Sequence, residues 1–323
     1  MSRGATDWGA GRRAHGWVWL AVGAALVVLG WLLLKLRSTA TDLVVYAAQD
    51  QVYAEPLLAE FTRETGIRVR AVYDSEAAKT VGLANRLLAE RKRPVCDLFW
   101  GNEELRVRQL AARGVWRETN AWAAFGWRSR RVMINTNHVA PAGAPTTLAS
   151  LTNAAWRGRV ALAYPLFGTT ATHFLALRQH WGETAFDAWC RALVANRALV
   201  VDGNSVVARL VARGEAWIGL TDSDDIAAVH REGAPVVALP LTDETLLIPN
   251  VVAITRGAPR ERSANVLFEW LQRPATAQRL VEWGALEGAV LADARVAGLR
   301  PDWDRLVADI EPGTARLRNL FLR

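Results

Sequence analysis

The sequence lacks the short motifs that mark the commonest enzyme active sites. It contains no Walker A loop, no GxSxG nucleophile elbow, no HExxH zinc motif and no CxxC pair. Its five histidines do not show the spacing of zinc ligands either. We therefore expect a protein that is not an enzyme.

Cysteine is also scarce, with only Cys96 and Cys190 in 323 residues. Cys96 stands at the start of a predicted strand, and Cys190 lies far away in a predicted amphipathic helix. A disulfide between them would persist outside the cytoplasm. Their sequence contexts favour the other interpretation, in which both are buried free thiols.

A large excess of charge is missing outside the N-terminus. The formal net charge is +7, but residues 1–41 hold five of the 39 basic residues and only one of the 32 acidic residues, which leaves the remaining chain at +3. No basic stripe interleaved with aromatic residues is present, so we expect no nucleic-acid partner. The 51% of hydrophobic residues suffice for one large domain or two medium ones.

The clearest single feature is the uncharged run WVWLAVGAALVVLGWLLL, Trp17–Leu34. As an α-helix it nearly spans the ~30 Å hydrocarbon core of a bilayer, and the double arginine before it favours a cytoplasmic N-terminus. We predict a cytoplasmic segment at 1–16. At 17–36 we predict either a retained signal anchor or a signal peptide cleaved after Ser38–Ala40. In both cases the rest of the chain is periplasmic or otherwise extracytoplasmic.

From residue 43 onward, predicted strands and helices alternate. Strands are expected at Leu43–Ala47, Ile67–Tyr73 and Val95–Gly101, each followed by a helix, which predicts a parallel sheet with right-handed crossovers. Ligands of open parallel sheets bind beyond the carboxyl ends of the strands. Here those ends are polar: Ala48-Gln49-Asp50, Asp74-Ser75-Glu76 and Gly101-Asn102-Glu103.

A second block of strands and helices ends in three further polar tips. Gly168, Thr169 and Thr170 open one predicted helix, and Asn204 and Ser205 open another. Such positions either cradle an anion with backbone N–H groups or simply cap the helix. The third tip, GLTDSDDI, follows a buried strand and carries three aspartates, which either bind a cationic group or complement the helix dipole.

Several segments resemble, in order and spacing, the extracellular solute-binding proteins of ABC importers, and the ferric-iron-binding branch in particular. They are LVVYAAQD, CDLFWGNEELRVRQLAARGV, RSRRVMINTN and GNSVVARLVARGEAWIGLTDSDD, and the resemblance covers about residues 43–290. It implies an α/β, two-lobed periplasmic-binding-protein type II fold, each lobe a mostly parallel sheet with flanking helices. The first lobe would comprise 42–128 and return at 248–323 with the C-terminal helices, and the second would comprise 129–247. A hinge would lie at RSRRVMI and IPNVVAI.

The resemblance also implies where the ligand binds. The branch holds iron with a histidine, a glutamate and a tyrosine pair, and these positions fall here at Asp50, Asn102 and Asp224-Asp225. All of them depart from the ferric pattern, although aspartates suit Fe³⁺ or a divalent cation and also an ammonium group. We predict metal contacts from Asp50, Asp224 and Asp225. The full set of predicted ligand-binding residues is Asp50, Ser75, Glu76, Asn102, Gly168, Thr169, Thr170, Asn204, Ser205, Asp224 and Asp225.

The function implied is that of the substrate-binding component of an ABC-type importer. It would capture a ferric or other metal ion, with or without an anion, or a phosphonate- or amine-type solute, between the lobes. Any metal would be the transported ligand rather than a cofactor. The expected partners are permease and ATPase subunits, with the membrane reached through the N-terminal helix and the protein itself monomeric. A membrane-anchored sensory or regulatory ligand-binding domain is the alternative.

Overall fold

The structure is a computed structural model that describes residues 42–74, 81–290 and 298–322. The strands in these residues are β1 Leu43–Ala47, β2 Val69–Tyr73, β3 Leu98–Gly101, β4 Trp122–Asn135, β5 Val160–Ala163, β6 Leu199–Val201, β7 Ile218–Asp222, β8 Val236–Ala238 and β9 Leu247–Ile254. The α-helices are α1 Gln51–Thr65, α2 Val81–Ala89, α3 Glu104–Ala112, α4 Gly168–Trp181, α5 Glu183–Ala195, α6 Asn204–Ala212, α7 Ser223–Arg231, α8 Glu261–Leu271, α9 Pro274–Glu282 and α10 Trp303–Phe321. The predicted α/β class and the bounds of β1 are confirmed.

The strands form one continuous sheet in the order β2-β1-β3-β9-β4-β7-β5-β6, with β8 beside β4. The pairs β1-β2, β1-β3, β5-β6 and β5-β7 are parallel. The pairs β3-β9, β4-β9, β4-β7 and β4-β8 are antiparallel. The sheet is therefore mixed, whereas the sequence predicted mostly parallel sheets. The difference arises because β4 and β9 run against their neighbours in the middle of the sheet.

Strand β4 changes its partner along its length. Residues Trp122–Ser129 pair with β9, and the following residues from Arg130 pair with β7 and β8. The change of partner falls close to the lobe boundary predicted at residue 129. The division into two lobes stays a prediction, which this geometry supports.

Hydrophobic side chains cover both faces of the sheet. In β1, Leu43 and Val45 join one buried cluster, while Val44 and Tyr46 join another on the opposite face. This follows from the alternation of side chains along a strand, and it explains why β1 reads as a continuous apolar run. Polar residues at or just after the carboxyl ends of β1, β3, β6 and β7 line the cavities described below.

Helix α10 packs more widely than the sequence predicted. Its residues Leu306, Ile310 and Leu317 belong to the same buried cluster as Phe174 of α4 and Phe186 of α5. Helices α4 and α5 lie within the predicted second lobe, whereas 248–323 was expected to return to the first. Because of these contacts, the C-terminal helix is not confined to the first-lobe elements.

The predicted N-terminal segments at 1–16 and 17–36 lie outside the described residues. Among the helices that are described, none is long and apolar enough to cross a membrane. Both Cys96 and Cys190 are free and buried, and they belong to different hydrophobic clusters. The prediction of two buried free thiols is confirmed.

Candidate functional site

The polar ends of several strands meet at one cavity. Most of the predicted ligand-binding residues line it: Asp50, Asn102, Gly168, Thr169, Thr170, Asn204, Asp224 and Asp225. A second cavity of about 320 Å³ shares Asp50, Asp224 and Asp225 with the first and adds Ser205. Ser75 and Glu76 lie outside the described residues. The structure therefore brings together every predicted site residue that it describes.

Two buried arginines, which the sequence reasoning did not include, lie behind the aspartates. Arg128 and Arg130 are 2% and 1% exposed and alternate along β4, so that both side chains lie on the same face. Arg128 Nη1 lies 2.6 Å from Asp224 Oδ2, and its Nη2 lies 3.3 Å from Asp222 Oδ2. Arg130 Nη1 lies 2.7 Å from Asp222 Oδ1. The segment RSRRVMI thus supplies charges to the site as well as a crossing strand.

Asp222 is the centre of this network. It occupies the N-cap position of α7 but makes no capping hydrogen bond. Instead it accepts hydrogen bonds from Thr169 Oγ1 at 2.7 Å and Asn204 Nδ2 at 3.2 Å, besides the one from Arg130. Burial alone would raise the pKa of Asp222. The guanidinium groups of Arg130 and Arg128 have the larger combined effect, so the pKa of Asp222 lies below its ordinary value. The carboxylate is therefore ionised.

Several helices begin at the first cavity without a side-chain cap. The N-cap residues of α1, α4 and α7 make no capping hydrogen bond with their side chains, and that of α6 is a glycine. These residues, Asp50, Phe167, Asp222 and Gly203, all line the cavity. The first N–H groups of a helix lack partners within the helix, and its dipole favours a negative charge there.

The hydroxyl groups at the start of α4 donate hydrogen bonds to side chains outside this helix. Thr169 donates to Asp222, and Thr170 donates to Asn204 Oδ1 at 3.1 Å. The alternative that these threonines cap the helix is therefore wrong. By contrast, Glu103 caps α3 by accepting from Leu105 N at 2.7 Å. Burial raises the pKa of Glu103, and its contacts give it a structural role beside Asn102.

Carboxylates that suit a cation are also present. Oxygen atoms of Asp222, Asp224 and Asp225 all lie within 4.8 Å of one another. The predicted metal set contained Asp50 in place of Asp222. Two of the three aspartates are in ion pairs with Arg128, which is itself buried beside the same cavity. A metal ion at this position would therefore meet the positive charge of a guanidinium group.

His173 of α4 lies close to this network but is not part of the cavity. It is 1% exposed, and its Nε2 donates to the carbonyl oxygen of Glu244 at 2.8 Å. Burial, together with the nearby charge of Arg130, lowers the pKa of His173 to about 3. The imidazole is therefore neutral and structural at physiological pH.

A family model described as "Bacterial extracellular solute-binding protein" matches residues 43–286. The chain belongs to this family. The membership confirms the resemblance stated from the sequence. A curated relative, the "Major ferric iron-binding protein" of Neisseria meningitidis, is 24% identical over 209 residues, or 59% of this chain. The chain matches 61% of that relative's length.

Solved structures of solute-binding proteins share the fold. Iron-bound HitA from Pseudomonas aeruginosa superposes with a TM-score of 0.75 at 16% identity, over 86% of this chain and 99% of that one. The periplasmic binding protein AfuA from Actinobacillus pleuropneumoniae, with fructose-6-phosphate bound, gives 0.73 at 18% identity, over 87% and 97%. These likenesses confirm a periplasmic-binding-protein fold. The names of these relatives describe binding proteins.

The ion pair of Arg128 and Asp224 can be tested by a double-mutant cycle. Asp224→Ala and Arg128→Met should each lower the free energy of unfolding by about 3–5 kcal/mol, because each breaks the shorter buried ion pair and leaves Arg128 with only its longer contact to Asp222, or Asp224 without the guanidinium group. The double variant should lose at least ~1 kcal/mol less than the sum of the two. Denaturant unfolding measures all four proteins. The exposed pair Arg213–Glu215 is the control, and Glu215→Ala should cost less than ~1 kcal/mol.

Simple additivity of the two costs would contradict this assignment.

The neutral state of His173 predicts a pH dependence of stability. Its pKa is lower in the folded protein than in the unfolded chain, so acid drives protons onto the unfolded state. This contribution is complete above the unfolded pKa of about 6.5 and is lost as the pH falls toward 3. Between pH 6.5 and 4.5, the wild type should lose about 2 kcal/mol more unfolding free energy than His173→Gln. Parallel curves for the two proteins would contradict this prediction, because they would show that the pKa of His173 is the same in the folded and unfolded states.

Proposed function

We propose that this chain is the substrate-binding component of an ABC-type importer and that its solute carries an anionic group. The observation that carries the proposal is the cavity where α1, α4, α6 and α7 begin without side-chain caps. Uncapped N–H groups and helix dipoles together bind phosphate, phosphonate or carboxylate groups. Gly168 has a φ of +52°, and a Cβ placed there would meet no atom within 4 Å. The space beside the backbone at the start of α4 is therefore free of protein atoms.

The ion pairs beside the cavity weaken the case for a bare ferric ion, although Asp50, Asp202 and Asp225 line it as well. Asp222 and Asp224 are paired with Arg128 and Arg130, so these carboxylates are already neutralised by protein cations. The position at which the ferric branch uses a tyrosine pair holds aspartates. AfuA, which shares the fold, is described with fructose-6-phosphate bound, and this supports a phosphorylated solute as one of the ligands that the fold accommodates.

A metal ion accompanied by an anion is the second candidate. It is favoured by the three aspartates whose oxygen atoms lie within 4.8 Å of one another. Carboxylate oxygens suit hard cations. The curated relative named for ferric iron supports the same candidate. In this case the metal would be cargo.

The mechanism in either case is binding followed by closure. Residues of the predicted first lobe, Asp50 and Asn102, line the cavity together with residues of the predicted second lobe, such as Gly168 and Asn204. A solute that contacts both sets would shift the population toward the closed form, with β4 and β9 as the hinge strands. The permease would then receive the solute at the outer face of the membrane.

We name the cavity at the N-termini of α1, α4, α6 and α7 the anion site, and the substitution Phe167→Asp tests it. Phe167 is 38% exposed at the N-cap position of α4, where a carboxylate stabilises the helix but repels a bound anion. For the full chain in mild detergent, we expect calorimetry to show at least tenfold weaker binding of phosphate-bearing solutes, with unchanged or higher thermal stability. Phe167→Asn is the uncharged control of equal shape and should bind nearly as well as the wild type.

The probes for this test are inorganic phosphate, 2-aminoethylphosphonate, fructose-6-phosphate, Mn²⁺ and Fe(III)-citrate. A solute at a hundredfold excess over its Kd stabilises the folded protein by about 2.7 kcal/mol. Stabilisation by metal alone, with no effect of Phe167→Asp, would reject the anion site and establish the metal candidate.

A further inference from the structure

The second cavity contains polar atoms that lack hydrogen-bond partners. We name it the Gln49 chamber, after the residue that follows β1 and lines it with Tyr73, Asp74, Asp50, Tyr53 and Ser205. Gln49 is 2% exposed, yet neither its Nε2 nor its Oε1 has a hydrogen-bond partner in the described part of the chain. The same holds for the hydroxyl group of Tyr73.

Such atoms are informative because buried polar groups in native proteins are nearly always paired. Three atoms without partners, contributed by two side chains that line the same cavity, therefore require a partner from outside the described residues, which is either water or a bound solute. The tyrosine hydroxyl is not charged, since burial raises the pKa of Tyr73 to about 12. Gln49 offers one donor group and one acceptor, and the neutral phenol offers both.

The chamber adjoins the anion site. It shares Asp50, Asp224 and Asp225 with the cavity at the helix N-termini. With a cavity volume of about 320 Å³ it exceeds what a metal ion or inorganic phosphate needs. A solute whose anionic group lies at the helix N-termini would therefore extend its remaining atoms into the Gln49 chamber.

The hydrogen-bond donors and acceptors of the Gln49 chamber indicate which chemical groups the enclosed part of the solute carries. Carboxylates at Asp50 and Asp74 accept hydrogen bonds, whereas Gln49 Nε2 must donate. An ammonium group only donates, so it would leave Nε2 unsatisfied. A hydroxyl group both donates to a carboxylate and accepts from an amide N–H. A solute with several hydroxyl groups would form hydrogen bonds with the polar atoms of Gln49 and Tyr73, whereas an apolar chain would form none.

We infer that the solute is a phosphorylated polyhydroxy compound, a sugar phosphate by class, whose hydroxyl groups bind Gln49 and Tyr73. This inference rests on the proposed function for its anionic end. It assigns the phosphate to the helix N-termini and the sugar to the Gln49 chamber. Recognition by the chamber then distinguishes the solute from inorganic phosphate and from a metal ion.

Calorimetry on the full chain tests the inference with four phosphorylated polyols. These are fructose-6-phosphate, glucose-6-phosphate, ribose-5-phosphate and glycerol-3-phosphate, compared with inorganic phosphate and 2-aminoethylphosphonate. At least one polyol phosphate should bind tenfold or more tightly than both comparison anions. Tyr73→Phe and Gln49→Leu should each weaken that solute about five- to twentyfold and leave the affinity for inorganic phosphate within twofold.

Matched controls remove similar groups elsewhere. Tyr46→Phe deletes a buried hydroxyl that donates to Glu90, and Gln109→Leu deletes a buried amide on α3. Neither residue lines the chamber, so neither change should alter the affinity for the polyol phosphate. Thermal unfolding without solute establishes that each variant is folded, and Tyr73→Phe, which removes one oxygen atom, remains available if Gln49→Leu does not fold.

The outcomes separate the two proposals. If inorganic phosphate or 2-aminoethylphosphonate binds as tightly as every polyol phosphate, the sugar assignment is overturned while the anion site stands. Equal losses for inorganic phosphate and the polyol in the chamber variants would overturn it as well. If no anion binds and only Fe(III)-citrate does, the anion site and the sugar assignment both fail.

Discussion

The ion network of Arg128, Arg130, Asp222 and Asp224 is the constraint on which the site depends. Charges that are buried as deeply as these are tolerated only when they are paired and hydrogen-bonded. The pairing holds β4 against β7 and the start of α7. It also draws Thr169 and Asn204 toward Asp222. Side chains that would otherwise cap helices are thus committed to the network, and the helix N-termini are left open to the cavity.

This ion network changes which ligands the acidic segment at Asp222–Asp225 suits. Asp222, Asp224 and Asp225 read as a cluster of negative charge, which suits a cation. In the folded protein, Asp222 and Asp224 form ion pairs with buried guanidinium groups. The positive ends of several helix dipoles lie at the same cavity. The site therefore combines donors for an anion with acceptors for hydroxyl groups. The family fold does not decide between such ligands, because related binding proteins present different residues on the same frame.

Much of the architecture could be predicted from local pattern. The run Leu43–Ala47 is apolar throughout because β1 is buried on both faces, and its predicted bounds match the structure. Polar strand ends indicated the site, and all of the predicted residues that are described line the two cavities. The mixed sheet was not predicted, because the apolar strand β9 pairs with β3 and β4 across long sequence separations. Local periodicity does not specify which strand lies beside which.

The sequence by itself determined the family, the α/β class, the strand ends that form the site and the presence of an uncharged N-terminal run. The tertiary structure decided which charges pair. Arg130 lies opposite Asp222 in the register of β4 and β7, and Arg128 contacts Asp224 in the first turn of α7. Those distances depend on packing between segments about ninety residues apart. The Gln49 chamber is likewise a product of packing, since an unsatisfied amide becomes visible only when its neighbours are in place.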